Sequence, residues 1–382
     1  MIAGHGGNIY ELARRLGCSP FEIDDVSSNV NPLGPPPGLC EFLAGCLPAI
    51  TVLPEVDNQD LIRRFAGYAG LPAERVLAAG GTTQFIYSLP RVLPEKRALI
   101  LGPTYSDYAD GCRVNGLQPE FVLAEEKDRF EPPLARLEAA LRGQELVFIC
   151  NPNNPTGRLI PGRDLAGLCR RHPRTRFIID ESYLPFVTEA EQESVARHGL
   201  ANVIVLLSIS KIFRIPGLRI GFLAAAPETV AACSQSVWPW SVNSLAHSAV
   251  HYIAEHPEPV REFVLETRGR LEHEREVFRG LMGKHPGFTV FPACASFMLV
   301  RLPEALSAGQ AWAQLAEDRI LIRDCSNFKG LTDRFIRICP KSPELSGRIA
   351  ERLGELAAQK NGAGAACPPP ASRPTALFKG KK

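Results

Sequence analysis

What the sequence lacks narrows it first. It has no C-x-x-C pair: eleven cysteines are spread over 382 residues, and none stands three positions from another. That removes the spacing used by zinc sites and thioredoxin-type dithiols, so no metal is expected. The cysteine number is odd, and most sit in apolar company, as Cys150 does in LVFIC and Cys339 in FIRIC. Buried, reduced thiols in a cytoplasmic protein are the expectation. Neither sign of charge dominates: 43 basic and 41 acidic residues leave a formal net charge of +2. Neither nucleic acid nor an anionic membrane is therefore an expected partner. Long hydrophobic runs are missing too. A run such as Val203–Leu207 is far too short to span a bilayer. The first residues lack a basic segment followed by an apolar one, so no signal peptide is expected.

What is present is a chain with 45% hydrophobic residues, enough for a large core. From about residue 75 to 225, continuous apolar runs alternate with helical spacing. The runs are RALILG (97–102), ELVFIC (145–150), TRFIID (175–180), NVIVLLS (202–208) and LRIGFLA (218–224). Such runs suit strands buried on both faces, which predicts an α/β fold with a mostly parallel sheet. After residue 242 the pattern changes to long amphipathic helices, at 244–256 and 259–285, followed by short strands and a last helix over 343–358. This reads as a smaller α+β domain. We expect a large domain over 45–260 and a small one from 1–44 with 261–358. The tail, 361–382, is rich in Gly, Ala and Pro and is expected to be disordered; its Cys367 has no derivable role.

The stretch SISKIFRIPGLRIG (208–221) carries the most chemistry. A strand delivers Ser208, Ser210 and Lys211, with Arg214 and Arg219 close behind. Hydroxyls and guanidinium groups bind phosphate. A lysine that is partly desolvated beside cations has a lowered pKa, and its neutral amine can form a Schiff base with an aldehyde. Lysine and phosphate pocket together suggest pyridoxal 5′-phosphate. That cofactor needs an acid at its ring nitrogen, and Asp180 in FIIDESY ends a buried strand. Its phenolate oxygen needs donors, which Asn154 in NPNNPTG and Tyr183 could supply. The Gly-rich turn AAGGTTQFIYSLP (78–90) feeds a helix start fit for an anion, and Tyr105 in GPTYSDY could stack on the ring. Singly, each residue is as well a cap, a turn or packing. Their order on the strand ends of one sheet is what joins them.

Together these motifs resemble the fold-type I pyridoxal-phosphate enzymes of the aminotransferase class I/II group, over residues 1 to 358. The resemblance implies that fold, and Lys211 as the Schiff-base lysine. It implies Asp180 at the ring nitrogen, Asn154 and Tyr183 at the phenolate oxygen, and Tyr105 stacked on the ring. Gly81, Thr82, Ser208, Ser210 and Arg219 would hold the phosphate, and Arg337 in FIRIC would bind the substrate carboxylate. It also implies a homodimer. One departure stands out: TVLPEVDN (51–58) has Leu53 where many relatives carry a tyrosine that reaches the neighbouring subunit's cofactor phosphate.

Four further segments, HGGNIYELARRLG, SSNVNPLGPP (27–36), WPWSVNSLA (238–246) and RILIRDCSNFKGL (319–331), resemble the L-threonine-O-3-phosphate decarboxylases of cobalamin biosynthesis. That subgroup implies a small phosphorylated amino acid as substrate and (R)-1-amino-2-propanol O-2-phosphate as product, for the cobalamin nucleotide-loop linker. His5, Asn31 and Arg323 are the candidates for the substrate phosphate, beside Asn154 and Arg337. Gly6 and Gly7 would let the backbone approach the site closely, where a frayed terminus is the plainer alternative. Histidinol-phosphate aminotransferases share the core motifs without the HGGN start and form the alternative. A carbon–sulfur lyase and a non-catalytic regulator on the same fold are weaker rivals.

Overall fold

The computed structural model describes residues 6–364. A seven-stranded sheet forms its centre: β1 (Val76–Ala79), β2 (Ala98–Gly102), β3 (Glu120–Leu123), β4 (Leu146–Cys150), β5 (Arg176–Asp180), β6 (Val203–Leu207) and β7 (Gly221–Ala224), in the order β1-β7-β6-β5-β4-β2-β3. Only β7 runs against its neighbours; β2 to β6 are parallel. The five expected runs all became strands. β1 and β3, shorter and without a long apolar run, were not among the expectations.

Side chains along each strand alternate between two cores. Ile100, Phe148, Ile178 and Ile204 join the cluster on one face. Leu99, Val147, Ile179 and Val205 join the cluster on the other. Every residue of β4 is buried, as a strand covered on both faces requires.

A second, antiparallel sheet follows: β8 (Thr289–Val290), β9 (Met298–Arg301), β10 (Arg323–Asp324) and β11 (Phe335–Ile338), in the order β10-β11-β9-β8. The chain start is stitched to this part, because Asp24–Asp25 pairs in parallel with Ile320–Leu321. Helix α1 (Ile9–Leu16) is capped by the Asn8 side chain, which accepts from the Glu11 amide at 3.2 Å. The asparagine of HGGN is thus a helix cap. Helix α2 (Thr82–Val92) follows β1, α3 (Asp107–Val114) follows β2, and α4 (Pro257–Met282) is the long connector. The last helix, α5, covers Pro343–Gly364. It runs through Asn361, where composition predicted disorder; the rest of that tail, Cys367 included, lies outside the described residues. No helix among the described residues is long and apolar enough to cross a membrane.

Candidate active site

A cavity of about 220 Å³ opens where β4, β5 and β6 end and β7 begins. Parallel strands deliver their carboxyl ends to one edge, and antiparallel β7 brings its start, with Arg219 and Ile220, to that same edge. Gly81, Thr82, Tyr105, Asn154, Asp180, Tyr183, Ser208, Ser210, Lys211 and Arg219 all line it. The second sheet and the chain start close the opposite side, with Gly6, Ser27, Asn29, Arg323, Phe328 and Arg337.

Charge in this cavity is one-sided. Asp180 is the only acid among the described lining residues, against Lys211, Arg219, Arg323 and Arg337. Burial pushes the Lys211 amine down to about 8, helped by the cations of Arg219 and Arg337 and opposed by Asp180. Its neutral form is therefore accessible near neutral pH. Burial also pushes the Asp180 carboxyl above its ordinary range, while Ser182, Tyr108 and Lys211 pull it back. Oδ1 of Asp180 accepts from the Ser182 amide at 2.9 Å, and Oδ2 from the Tyr108 hydroxyl at 2.8 Å. Neighbouring Glu181 is also buried, but its carboxylate takes the Ser194 hydroxyl at 2.6 Å and the Val195 amide at 2.7 Å.

The donor set has its own logic. Arg337 donates to Oδ1 of Asn154 and to the Ser27 carbonyl. Asn29 Nδ2 donates to the Tyr183 hydroxyl at 3.0 Å. The acceptor atoms of Asn154 and Tyr183 are thus engaged by protein donors. The Asn154 amide N–H and the Tyr183 O–H are left to donate to another acceptor, such as a phenolate oxygen. At the other end no side chain caps α2, whose first residues Thr82 and Thr83 face the cavity with Ser208, Ser210 and Arg219. Gly81, at φ +101°, opens this cradle: a Cβ there would come within 2.8 Å of Arg219 Nη2. One end suited to an anion, one buried acid and two donors between them fit a phosphorylated pyridine with a phenolic oxygen.

The remaining expectations divide. Arg323 is in the cavity wall; it donates to the Asp324 carbonyl at 2.5 Å and to Asn327 Oδ1 at 2.7 Å. His5 lies outside the described residues. Gly6 does approach closely: a Cβ there would meet the Ser27 carbonyl at 2.7 Å and Arg323 Cδ at 3.3 Å. The Gly7 amide donates to Ser27 Oγ at 2.7 Å. Asn31 requires a correction, because it does not line the cavity. It is fully buried, donating to the Ile212 carbonyl at 2.8 Å and to Thr267 Oγ1 at 2.7 Å, while its own amide donates to the Lys211 carbonyl at 3.0 Å. It fastens the lysine loop to α4. Asn29, two residues earlier in the same SSNVNP stretch, is the asparagine that faces the cavity. Tyr108 was also missed; it stands three residues after Tyr105 in GPTYSDY, in the first turn of α3.

The sequence profile of the family described as "Aminotransferase class I and II" matches residues 27–353. The chain belongs to this family. Its cofactor is pyridoxal 5′-phosphate. The chain is 32% identical over 356 residues to a threonine-phosphate decarboxylase from Salmonella typhimurium, covering 92% of this chain and 96% of that protein. It is 29% identical over 347 residues to a histidinol-phosphate aminotransferase from Methanosarcina mazei, covering 90% of this chain and 91% of that one. It is also 28% identical over 357 residues to the adenosylcobalamin biosynthesis bifunctional protein CobDQ from Leptospira interrogans, of which it spans 41%. Among solved structures, the L-threonine-O-3-phosphate decarboxylase from Porphyromonas gingivalis superposes with a TM-score of 0.79 at 29% identity, over 87% of this chain and 99% of that chain. The fold is the fold-type I architecture of these pyridoxal-phosphate enzymes.

Proposed function

We propose that the chain decarboxylates L-threonine O-3-phosphate, releasing CO2 and leaving (R)-1-amino-2-propanol O-2-phosphate, the linker of the cobalamin nucleotide loop. The observation that carries this reading is the pair Arg323 and Arg337. Both are buried in the cavity wall, and neither has a carboxylate partner among the described residues. Uncompensated buried cations are costly unless a ligand neutralises them. Arg219, in the cradle at α2, answers to the cofactor phosphate. Two further guanidinium groups then suit one substrate bearing both a carboxylate and a phosphate. Histidinol phosphate carries the second group and not the first. An aminotransferase meets the two groups on separate substrates, glutamate and the phosphate ester, so an assay of CO2 release against amino transfer separates the readings.

When bound, the cofactor supplies an electron sink for the bond broken at the substrate Cα. The chain's own residues do the rest. Asp180 would pair the ring nitrogen, and Asn154 and Tyr183 would donate to the phenolate oxygen. Arg337 takes the substrate carboxylate and Arg323 its phosphate. Holding the substrate by both ends, they would fix the orientation of its Cα bonds, and so whether CO2 or a proton leaves. Misplacement on the order of 1 Å is enough to change that outcome. Lys211 in its ammonium form would deliver the proton that replaces the lost carboxylate at Cα. The strap at Gly6 and Gly7 closes over Ser27 and Arg323; for His5 we propose the role of a donor to the substrate phosphate.

The assembly that fits is a homodimer. Leu47, Ile50, Val52, Leu53 and Val56 form an exposed apolar run, which a second copy would cover. With Leu53 in place of the usual tyrosine, the neighbouring subunit offers no hydroxyl from this position to the cofactor phosphate. Sedimentation of the holoenzyme checks the assembly. The reaction is checked by incubating holoenzyme with O-phospho-L-threonine and measuring CO2. Release of CO2 is the expected result. Its absence, with amino transfer from glutamate to imidazole acetol phosphate, would make the enzyme an aminotransferase of the alternative kind.

A further inference from the structure

Asp180 does not meet the cavity alone. Tyr108 lies behind it on α3, almost fully buried, with its hydroxyl 2.8 Å from Asp180 Oδ2. The ring is held on two sides. It stacks on Phe148 of β4 at 5.5 Å between centroids, with 21° between the planes, and meets Tyr105 edge-on at 5.7 Å and 86°. Phenylalanine would fill the same space. A hydroxyl taken into full burial costs free energy unless its hydrogen bond returns it, and here the bond goes to the carboxylate assigned to the cofactor. The Cys150 thiol at the adjacent strand end donates to the Pro152 carbonyl at 3.3 Å and is also in side-chain contact with the Tyr108 hydroxyl.

We propose that Tyr108 is a positioning residue for Asp180: its phenol hydrogen bond keeps the carboxylate ionised and aimed at the ring nitrogen of the cofactor. The proposal rests on the assignment of Asp180 to that nitrogen. Each carboxylate oxygen then has one protein donor, Ser182 N–H on Oδ1 and Tyr108 O–H on Oδ2, and keeps a lone pair for the pyridinium N–H. The titratable groups around Asp180 are Lys211, Glu181, Cys150, Tyr183 and Tyr108. Of these, the Lys211 cation and the Tyr108 hydroxyl favour its ionised form, and burial disfavours it. Removing the hydroxyl shifts the balance toward a neutral carboxyl, which cannot pair a pyridinium.

The test is Tyr108→Phe, which keeps the ring and its packing. Titrating the apoenzyme with pyridoxal 5′-phosphate should show roughly tenfold weaker binding, since hydrogen bonds to charged groups are the stronger kind. In the loaded protein, a ring carrying less positive charge repels the proton on the lysine nitrogen less. The pH midpoint of the visible absorbance band should therefore move up by about half a unit. Asp180→Asn should move both readouts further in the same directions. Adding Tyr108→Phe to Asp180→Asn should then change little, because the two groups act through one bond. Unchanged affinity and midpoint in Tyr108→Phe, with both shifted in Asp180→Asn, would overturn the role of Tyr108 alone. If neither variant shifts them, the assignment of Asp180 itself is wrong. Additive effects in the double variant would likewise remove the coupling proposed.

Discussion

The two walls of the cavity are built in opposite ways. The sheet wall is drawn from one stretch of chain, between Gly81 and Arg219, at successive strand ends of a single sheet. The outer wall is gathered from both ends of the described chain: Gly6 to Asn29 on one side, Arg323 to Arg337 on the other. The bond from Arg337 to Asn154 joins residues 183 positions apart, and that from Arg337 to Ser27 joins residues 310 apart. The sheet wall is rigid because its strands are buried on both faces. The outer wall stands on the second sheet, whose β11 is buried along its length, while the chain start joins it through the two-residue pairing of Asp24–Asp25 with Ile320–Leu321 and the bond from Arg337 to Ser27. Changes in the sheet wall should therefore appear in the cofactor's spectrum and affinity, and changes in the outer wall in substrate KM.

Lys211→Ala is the strongest test of the sheet wall. Its visible absorbance from lysine-bound cofactor should vanish and turnover should fall by about a thousandfold or more. Persistence of the band would undo the whole site. Arg337→Gln tests the outer wall. It should lower kcat/KM for O-phospho-L-threonine by about 10- to 100-fold, the range for a lost charge-assisted hydrogen bond. The absorbance band should stay in place; a lost band would mean that the walls are not separable.

The asparagine pair sharpens the contrast within one short stretch. Asn29→Ala removes the donor that fixes the Tyr183 hydroxyl, so activity should fall several-fold with a thermal midpoint close to wild type. Asn31→Ala removes two buried hydrogen bonds, to Ile212 and Thr267, and should cost about 2 kcal/mol of stability. A thermal melt and a turnover assay on each variant decide it. The reverse pattern would restore Asn31 to the substrate side.

This pair also shows what the sequence could and could not convey. Strand runs are local, and so is the string Ser208, Ser210, Lys211; local patterns report which residues end a strand. Asp180 was legible for the same reason. Asn29 and Asn31 share a polar type and a two-residue spacing, so nothing local says which faces a cavity and which is spent on the Lys211 loop. That depends on α4, whose Thr267 stands 236 positions from Asn31. Asn8 has no role of its own in the sequence reading; its side chain serves the first turn of α1. Tyr108 was visible in GPTYSDY, but only the strand packed beneath it, with Asp180 at its end, gives the hydroxyl a purpose.

The smallest effect we predict concerns pH, and it probes how the two walls act jointly on one amine. Lys211 is pushed down to about 8 by burial first, then by Arg219 from the sheet wall and Arg337 from the outer wall. The lysine is thus neutral above that pH and charged below it. Only the neutral amine attacks the cofactor aldehyde, so the rate of cofactor capture by apoenzyme should rise with pH and level off above about 8. Removing a neighbouring cation makes protonation easier, so Arg219→Gln should move that midpoint up. Asp180→Asn removes a charge that favours the protonated amine, so it should move the midpoint down. Stopped-flow absorbance of apoenzyme mixed with pyridoxal 5′-phosphate across pH 6 to 10 reads both shifts. Arg219 acts on the amine more strongly than Arg337 does, so Arg219→Gln should shift the midpoint more than Arg337→Gln. Equal or reversed shifts would mean that the outer wall governs the lysine as strongly as the sheet that carries it.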